Sequence, residues 1–429
     1  MSVVAREPVA AMLWRRWRDP AAWAATVDVF AVLTAASLPW STSLVAIFAV
    51  ALLISILPFL DVKAYLQSLR RPVCLLPMAL TVLAIVGTLW SDAPWGARIY
   101  AIYPTAKLLV LPVLFYHFER SERGLWVFVA FLVSCALLSV MSWIVLFHPE
   151  LTFRKWDPEP GIFVKNYIDQ SQEFTLCTVA LAYPVVTLLR AGRNLLATLL
   201  LAIAIGFIAN MAFVVVSRTA LVTMPIMLAV FALLHLKWRS IVVIVCATAV
   251  LAGAAWLTSP QLRRTGETFA RDAQLYKERN IPTSIGNRLE FWQKSLRFFA
   301  EAPVLGHGTG STRGLFVEAA AGQAGAGAEI VSNPHNQTLN VAIQWGVIGI
   351  VVLYTMWWLH LRLFRGEGLA AWIGLLVVLQ NIFTSLFNSH IFDFHEGWMY
   401  VLGVGIAGGM VLKTGPREAA LRTGNSSES

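Results

Sequence analysis

Apolar runs, each about as long as a membrane-crossing helix, follow one another along most of the chain, separated by short clusters of Arg, Lys, Pro and Gly. A spanning helix needs about 20 mostly apolar residues. The pattern predicts twelve, at 22–40, 43–60, 73–90, 98–116, 125–147, 172–189, 195–216, 218–236, 240–257, 335–361, 369–388 and 396–412. The fourth carries Arg98 and Lys107 and the sixth carries Pro184, so these two are the least regular. The stretch 258–334 is the one soluble-like region. Within it, NRLEFWQKSLRFFAE at 287–301 predicts a helix, because Leu289, Trp292, Leu296 and Phe299 recur at helical spacing. Glu290–Lys294 and Arg297–Glu301 add i,i+4 charge pairs. The Gly/Ala-rich AAAGQAGAGAE at 319–329 predicts a flexible segment.

The implied fold class is all-α: a polytopic membrane protein with about twelve transmembrane helices and one large loop containing helices. It divides into an N-terminal bundle of nine spans (1–257), the loop (258–334), three C-terminal spans (335–412) and a tail (413–429). Composition agrees. Of 429 residues 58% are hydrophobic and only 13% charged, where a soluble domain carries about a quarter charged. A disordered chain, a coiled coil and an ordinary cytosolic enzyme are excluded.

The formal charge of +9 would suggest nucleic acid in a soluble protein. In a membrane protein basic residues first report topology and lipid contact, so no nucleic-acid partner is implied. Placing the N-terminus in the cytoplasm makes all seven inner segments basic, beginning with Arg6, Arg15, Arg16 and Arg18 and ending with Lys413, Arg417 and Arg422. The short outer loops then hold only Arg98, Arg154, Lys155, Lys165 and Arg218. Both termini are therefore expected inside, and the basic N-terminus reads as a tail and not a cleaved signal. Cys74, Cys135, Cys177 and Cys246 each lie in an apolar run and read as small core residues.

Three places on the expected outer face put a basic or titratable residue at the start of a helix. Ser217 is placed to cap the eighth span, with Arg218 in its first turn. Asn287 is placed to cap the loop helix, followed by Arg288. Asn333 and Pro334 are placed to open the tenth span, with His335 in its first turn. Cations are disfavoured there by about 0.3–1 kcal/mol each. Three together predict an anion, since free N–H groups, the positive helix end and guanidinium bind phosphate well. Each also has a purely structural reading: Arg218 as an interfacial anchor, Arg288 as a partner of Glu290, His335 as a satisfied histidine. The helix end would favour the neutral imidazole, the form that acts as a general base.

SRTAL at 217–221, NRLEFWQKSLRFFAEAPVLGHGTGS at 287–311 and NPHNQTLNVAIQWGVIGI at 333–350 together resemble the O-antigen ligase and polymerase superfamily of bacterial inner membranes. Within it the chain looks most like the lipopolysaccharide O-antigen ligases. The resemblance implies a metal-independent glycosyltransferase in a Gram-negative inner membrane. It would move glycan from an undecaprenyl-diphosphate-linked O-antigen donor to a lipid A–core acceptor on the periplasmic face, without a cofactor. It assigns Arg218 and Arg288 to the diphosphate and His335 to the acceptor hydroxyl. Alternatives are an O-antigen polymerase, which would join lipid-linked repeats, and a glycan transporter without chemistry.

Further substrate contacts are expected from Asn336, Trp292, Lys107 and Asp393. Lys107 is costly in lipid and calls for a polar cavity. No D-x-D metal motif occurs; Asp157-Pro158-Glu159 is the nearest spacing and reads as a solvated turn. His390, Asp393, His395 and Glu396 form a polar cluster before the last span whose spacing fits no standard metal site, so no metal is expected. Gly306-His307-Gly308-Thr309-Gly310 follows a helix and lacks a Walker lysine, so it is not a nucleotide loop. Sequence alone does not set the oligomeric state.

Overall fold

The computed structural model describes residues 19–155, 159–215 and 217–424. Arg6, Arg15, Arg16 and Arg18 of the expected first inner segment, and Asp157 and Pro158, lie outside the described residues. The described residues form helices and turns without strands. The first half comprises α1 (Pro20–Ser37), α2 (Thr42–Ile56), α3 (Val62–Leu69), α4 (Pro72–Val86), α5 (Trp95–Ala106), α6 (Val110–Phe118), α7 (Gly124–Phe147), α8 (Tyr167–Ala180), α9 (Ala182–Arg190) and α10 (Asn194–Phe213). Then come α11 (Arg218–His235), α12 (Trp238–Thr258), α13 (Pro260–Arg279), α14 (Ser284–Glu301), α15 (Thr312–Ala320), α16 (Gln337–Leu363), α17 (Leu369–Thr384) and α18 (Phe394–Gly424).

Among the described residues nine helical stretches are long and apolar enough to cross a membrane. All twelve predicted segments fall on helix, and the three beyond those nine lie on α12, α17 and α18. α2 shows the logic. It is apolar all round, burying Val45, Ala49 and Leu52 while Ile47, Val50 and Ile54 stay exposed, as a helix facing protein on one side and hydrocarbon on the other must. The two irregular spans break where their sequence is irregular. The fourth is α5 and α6 joined by a 3-10 turn at Lys107–Leu109, and the sixth is α8 and α9 joined at Leu181, three residues before Pro184. α18 continues to Gly424 through the segment expected as a tail.

Without water to drive helices together in lipid, close contact depends on small residues. α18 packs on α6 in this way. A Cβ at Gly408 would come within 1.9 Å of the Phe115 ring, and one at Gly409 within 2.7 Å of Phe118. Trp345, Trp372 and Tyr400 are fully buried in the same core. Of the four cysteines, Cys74, Cys135 and Cys177 are buried as expected; Cys246 is exposed.

The region 258–334 folds onto the helix bundle. α14 begins at Ser284, three residues before the expected start, because Thr283 and not Asn287 accepts the capping bond, from Gly286 N–H at 3.1 Å. Both i,i+4 charge pairs form, at 3.7 and 3.6 Å. The helix buries Phe291, Ser295 and Phe298 against Phe316 and Ile343, leaving Leu289 and Leu296 exposed. The Gly/Ala segment is folded and not a loose tether. Its Gly325–Ala328 turn is pinned by Asn280, whose carbonyl takes Ala326 N–H at 3.3 Å, and by Lys294 Nζ on the Gly327 carbonyl. The 306–310 loop uses three left-handed glycines to wedge between α4 and α16. Thr309 donates to the Ala84 carbonyl and accepts from Trp345 Nε1.

α16 is interrupted at Gly346, whose φ of 59° and ψ of −153° suit glycine alone. The break lets Val347 N–H reach the Pro303 carbonyl at 2.8 Å, and a Cβ there would meet the Val304 oxygen at 2.3 Å. Gly346→Ala should therefore destabilise the protein by about 1–3 kcal/mol or more. Thermal unfolding in detergent should show a lowered midpoint, and an unchanged midpoint would refute this role for the break.

Candidate functional site

The three expected residues are set by different devices. Arg218 is the first residue of α11, as predicted. Ser217 takes the cap position, but its hydroxyl makes no capping bond. Arg288 lies in the second turn of α14, not the first, because the helix starts at Ser284. His335 precedes its helix altogether. Asn336 is the cap of α16, its Oδ1 accepting Leu339 N–H at 3.1 Å, and His335 sits before it in the left-handed region with φ of 53°. Asn333 caps nothing; its Oδ1 accepts the His335 backbone N–H at 3.0 Å. The expected helix-end effect on His335 is replaced by a turn that presents the ring.

These residues converge through a chain of contacts. Arg218 Nη1 meets Asp272 Oδ2 of α13 at 3.2 Å, and the Thr283 hydroxyl that caps α14 donates to the Asp272 carbonyl at 3.0 Å. One turn along α14 from Arg288, Phe291 stacks on the His335 ring with centroids 6.1 Å apart at 28°. The electrostatics agree. Burial holds the Arg288 guanidinium below its ordinary basicity; the Tyr167 phenol opposes this and the charge of Arg218 adds to it. Burial likewise lowers His335 below 6.5, with the Asn388 hydrogen bond opposing and the charges of Arg288 and His390 assisting. Among the described residues Arg288 makes no hydrogen bond or ion pair, and Glu290, its expected partner, bonds Tyr276 at 3.2 Å and pairs with Lys294 instead.

Other expected contacts divide. Trp292 packs beside Phe291, and its buried Nε1–H lacks an acceptor among the described residues. Asn336 is committed to its cap and to the Leu386 carbonyl. Lys107 donates to the Phe392 carbonyl at 3.3 Å and to the Asp393 carbonyl, so it braces the loop before α18 and does not stand beside the arginines. Asp393 Oδ2 accepts Asn388 Nδ2–H at 2.7 Å. Asn388, which binds His335 Nδ1 at 3.0 Å, was not foreseen. No motif marks it, and the nearest sequence signal was the polar cluster that follows it.

Within that cluster, His390, Asp393 and Glu396 bring one ligand atom each within 4.8 Å of one another, a spacing a divalent cation can bridge. His390 faces Glu396 at 3.3 Å and Asp393 at 3.8 Å. Burial opposes charging His390, and the two carboxylates outweigh it and hold the imidazole above its ordinary value. Burial, then Glu396, push Asp393 up to about 7. His395 turns away to Asp169, 2.6 Å distant. Glu159 pairs with Arg154 at 3.0 Å.

An apolar cavity lies elsewhere. A space of about 290 Å³ between α1, α7, α8, α17 and α18 is lined by Phe128, Phe131, Leu132, Leu176, Met399 and Leu402 among others, all apolar. Leu176, Val377 and Met399 also line a much smaller space beside Gln380, Asn381 and Glu396. The hydrocarbon-like cavity thus leads toward the polar cluster, not directly to the arginines.

No curated protein matches the chain. Residues 203–354 match the O-antigen ligase family, a segment that contains Arg218, Arg288, Trp292, His335 and Asn336 and stops short of Asn388 and Asp393. Carried by the stretch that holds both arginines and the histidine, this match supports placing the chain in the O-antigen ligase and polymerase superfamily.

Proposed function

We propose that the protein is a metal-independent inverting glycosyltransferase of the O-antigen ligase type, acting at the periplasmic face of a Gram-negative inner membrane with both termini in the cytoplasm. The donor is O-antigen glycan on undecaprenyl diphosphate and the acceptor a hydroxyl of lipid A–core. One observation carries the reading: a half-buried guanidinium, Arg288, has no side-chain partner among the described residues and lies within the field of a second, Arg218, and of a neutral imidazole. Such a place is unfavourable when empty and suited to a diphosphate. The N-terminus of α11, where the Ser217 hydroxyl makes no capping bond, is of the kind that binds phosphate. Trp292 Nε1–H offers a further donor.

In the reaction the acceptor oxygen attacks the anomeric carbon from the face opposite the diphosphate. A new C–O bond forms as the bond to phosphate oxygen breaks, and that electron pair stays on the leaving diphosphate. Arg218 and Arg288 stabilise the charge that builds there. The hydroxyl proton passes to the free ring nitrogen of His335. For Arg218, binding the donor means exchanging Asp272 for phosphate, an even trade of one oxyanion for another.

Purified protein with defined lipid-linked donor and lipid A–core acceptor tests this directly. Arg288→Ala and His335→Ala should each cut transfer by at least 100-fold while the protein stays folded in the membrane. Arg288→Lys should recover little, because an ammonium lacks the bidentate fork. EDTA should leave the rate unchanged. Elongation of donor on donor, without use of lipid A–core, would identify a polymerase instead. Absence of any released undecaprenyl diphosphate would sink both.

The pH dependence follows from His335. A base must be deprotonated, and burial sets this imidazole below 6.5. The acid limb of kcat/KM, which reports the free enzyme, should fall below that pH, with activity lost as pH drops through it. A limb well above 6.5 would contradict the assignment.

A further inference from the structure

We propose that Asn388 and Asp393 are positioning residues that fix the tautomer of His335, leaving its Nε2 as the proton acceptor. The inference rests on the reading of His335 as the base, and it adds two residues outside the matched family segment. His335 Nδ1 lies 3.0 Å from Asn388 Oδ1. The orientation of that amide is dictated by its other partners. Its nitrogen donates to Asp393 Oδ2 at 2.7 Å, and its oxygen also accepts Asn333 Nδ2–H at 3.1 Å. A flipped amide would set its NH₂ against that of Asn333, whose own orientation is fixed by the His335 N–H and the Ser389 hydroxyl on its oxygen. With oxygen facing the ring, Nδ1 carries the hydrogen and Nε2 keeps its lone pair.

The support continues behind Asp393. Lys107 holds the carbonyls of Phe392 and Asp393. The loop is tied to the start of α16 by Gln337 N–H on the Ser385 carbonyl at 2.9 Å, and by Ile391 N–H on Gln337 Oε1 at 3.0 Å. Asn333 Oδ1 accepts both the His335 backbone N–H and the Ser389 hydroxyl. Backbone and ring of a residue in the left-handed region are thus held from the same loop, which answers how that conformation persists. An amide suits the task better than a carboxylate. It accepts from Nδ1–H without adding a negative charge that would keep the imidazole protonated. The other charged or titratable groups acting on this ring are Arg288 from α14 and His390 from the loop, and both disfavour protonation.

The test uses full-length purified protein, lipid-linked donor and lipid A–core, measuring kcat, donor KM and the pH profile. Asn388→Ala should lower kcat at least tenfold and leave donor KM within about threefold, since the arginines are untouched. Asn388→Asp keeps an acceptor but adds charge, so the acid limb should move up by about one pH unit or more. Asp393→Asn, which still accepts from Asn388, should retain more activity than Asp393→Ala. Wild-type kcat in Asn388→Ala would overturn the proposal while leaving the site reading intact, as would a raised donor KM at unchanged kcat. If Asn388→Ala does not fold, the Asn388→Asp profile decides, and an unmoved limb overturns it. No transfer by the wild-type protein would remove the site reading and this inference together.

Discussion

The Arg288 guanidinium, held partly out of water with no counter-charge on it among the described residues, is the constraint around which this molecule is arranged. Arg288 is lowered in basicity by burial and by Arg218, and His335 in turn by burial and by Arg288. A fold tolerates such crowding only when neighbouring structure enforces it. Here the enforcement is concrete. Thr283 caps α14 and ties it to Asp272, Asp272 holds Arg218, and Phe291 stacks on His335. Each residue reaches the site from a different part of the chain, so its geometry depends on 258–334 docking as a folded unit.

That docking uses interruptions in membrane helices. In hydrocarbon every backbone group must be satisfied within the protein, so non-helical backbone is tolerated only where protein covers it. Gly346 breaks α16 where Pro303 supplies the acceptor, and the 306–310 loop fills the adjoining gap with Thr309 accepting from Trp345. The break at Lys107 has the same character. Its ammonium finds the carbonyls of 392 and 393, which turns a costly cation in a span into a brace for the loop behind His335. Irregularities that weaken individual spans are thus where the site is attached.

This explains what could be read from the chain. Helix existence was legible, since long apolar runs have one solution in lipid, and the flaws at Lys107 and Pro184 marked real breaks. Arg218, Arg288 and His335 were legible as a set because each stands near a helix start. Their exact settings were not. Thr283 outcompeted Asn287 as cap, and Asn336 outcompeted Asn333, because several capping residues lay within one turn and only tertiary contact chose between them. The buried face of α14 is another such case. Leu289 and Leu296 fit an apolar stripe, yet Phe291 and Phe298 are the ones covered, because Phe316 and Ile343 lie opposite them. The folded 319–329 segment rests on Asn280 and Lys294, distant partners that low complexity conceals.

Asn388 is the sharpest instance, and it bears on where the site ends. An asparagine in a short loop carries no motif, and its meaning comes from three side-chain hydrogen bonds, to Asn333, His335 and Asp393. The matched family segment stops at residue 354, so it contains the arginines and the imidazole but not the groups that orient that imidazole. An unsupported imidazole divides between two tautomers and many ring orientations, and only one combination presents a lone pair to an acceptor hydroxyl. On the proposed reading of His335, the functional unit is larger than the segment that carries the likeness. It reaches through the loop at 385–393 to Lys107 in the first half of the chain, and the two halves of the membrane bundle must assemble before His335 has a defined chemistry.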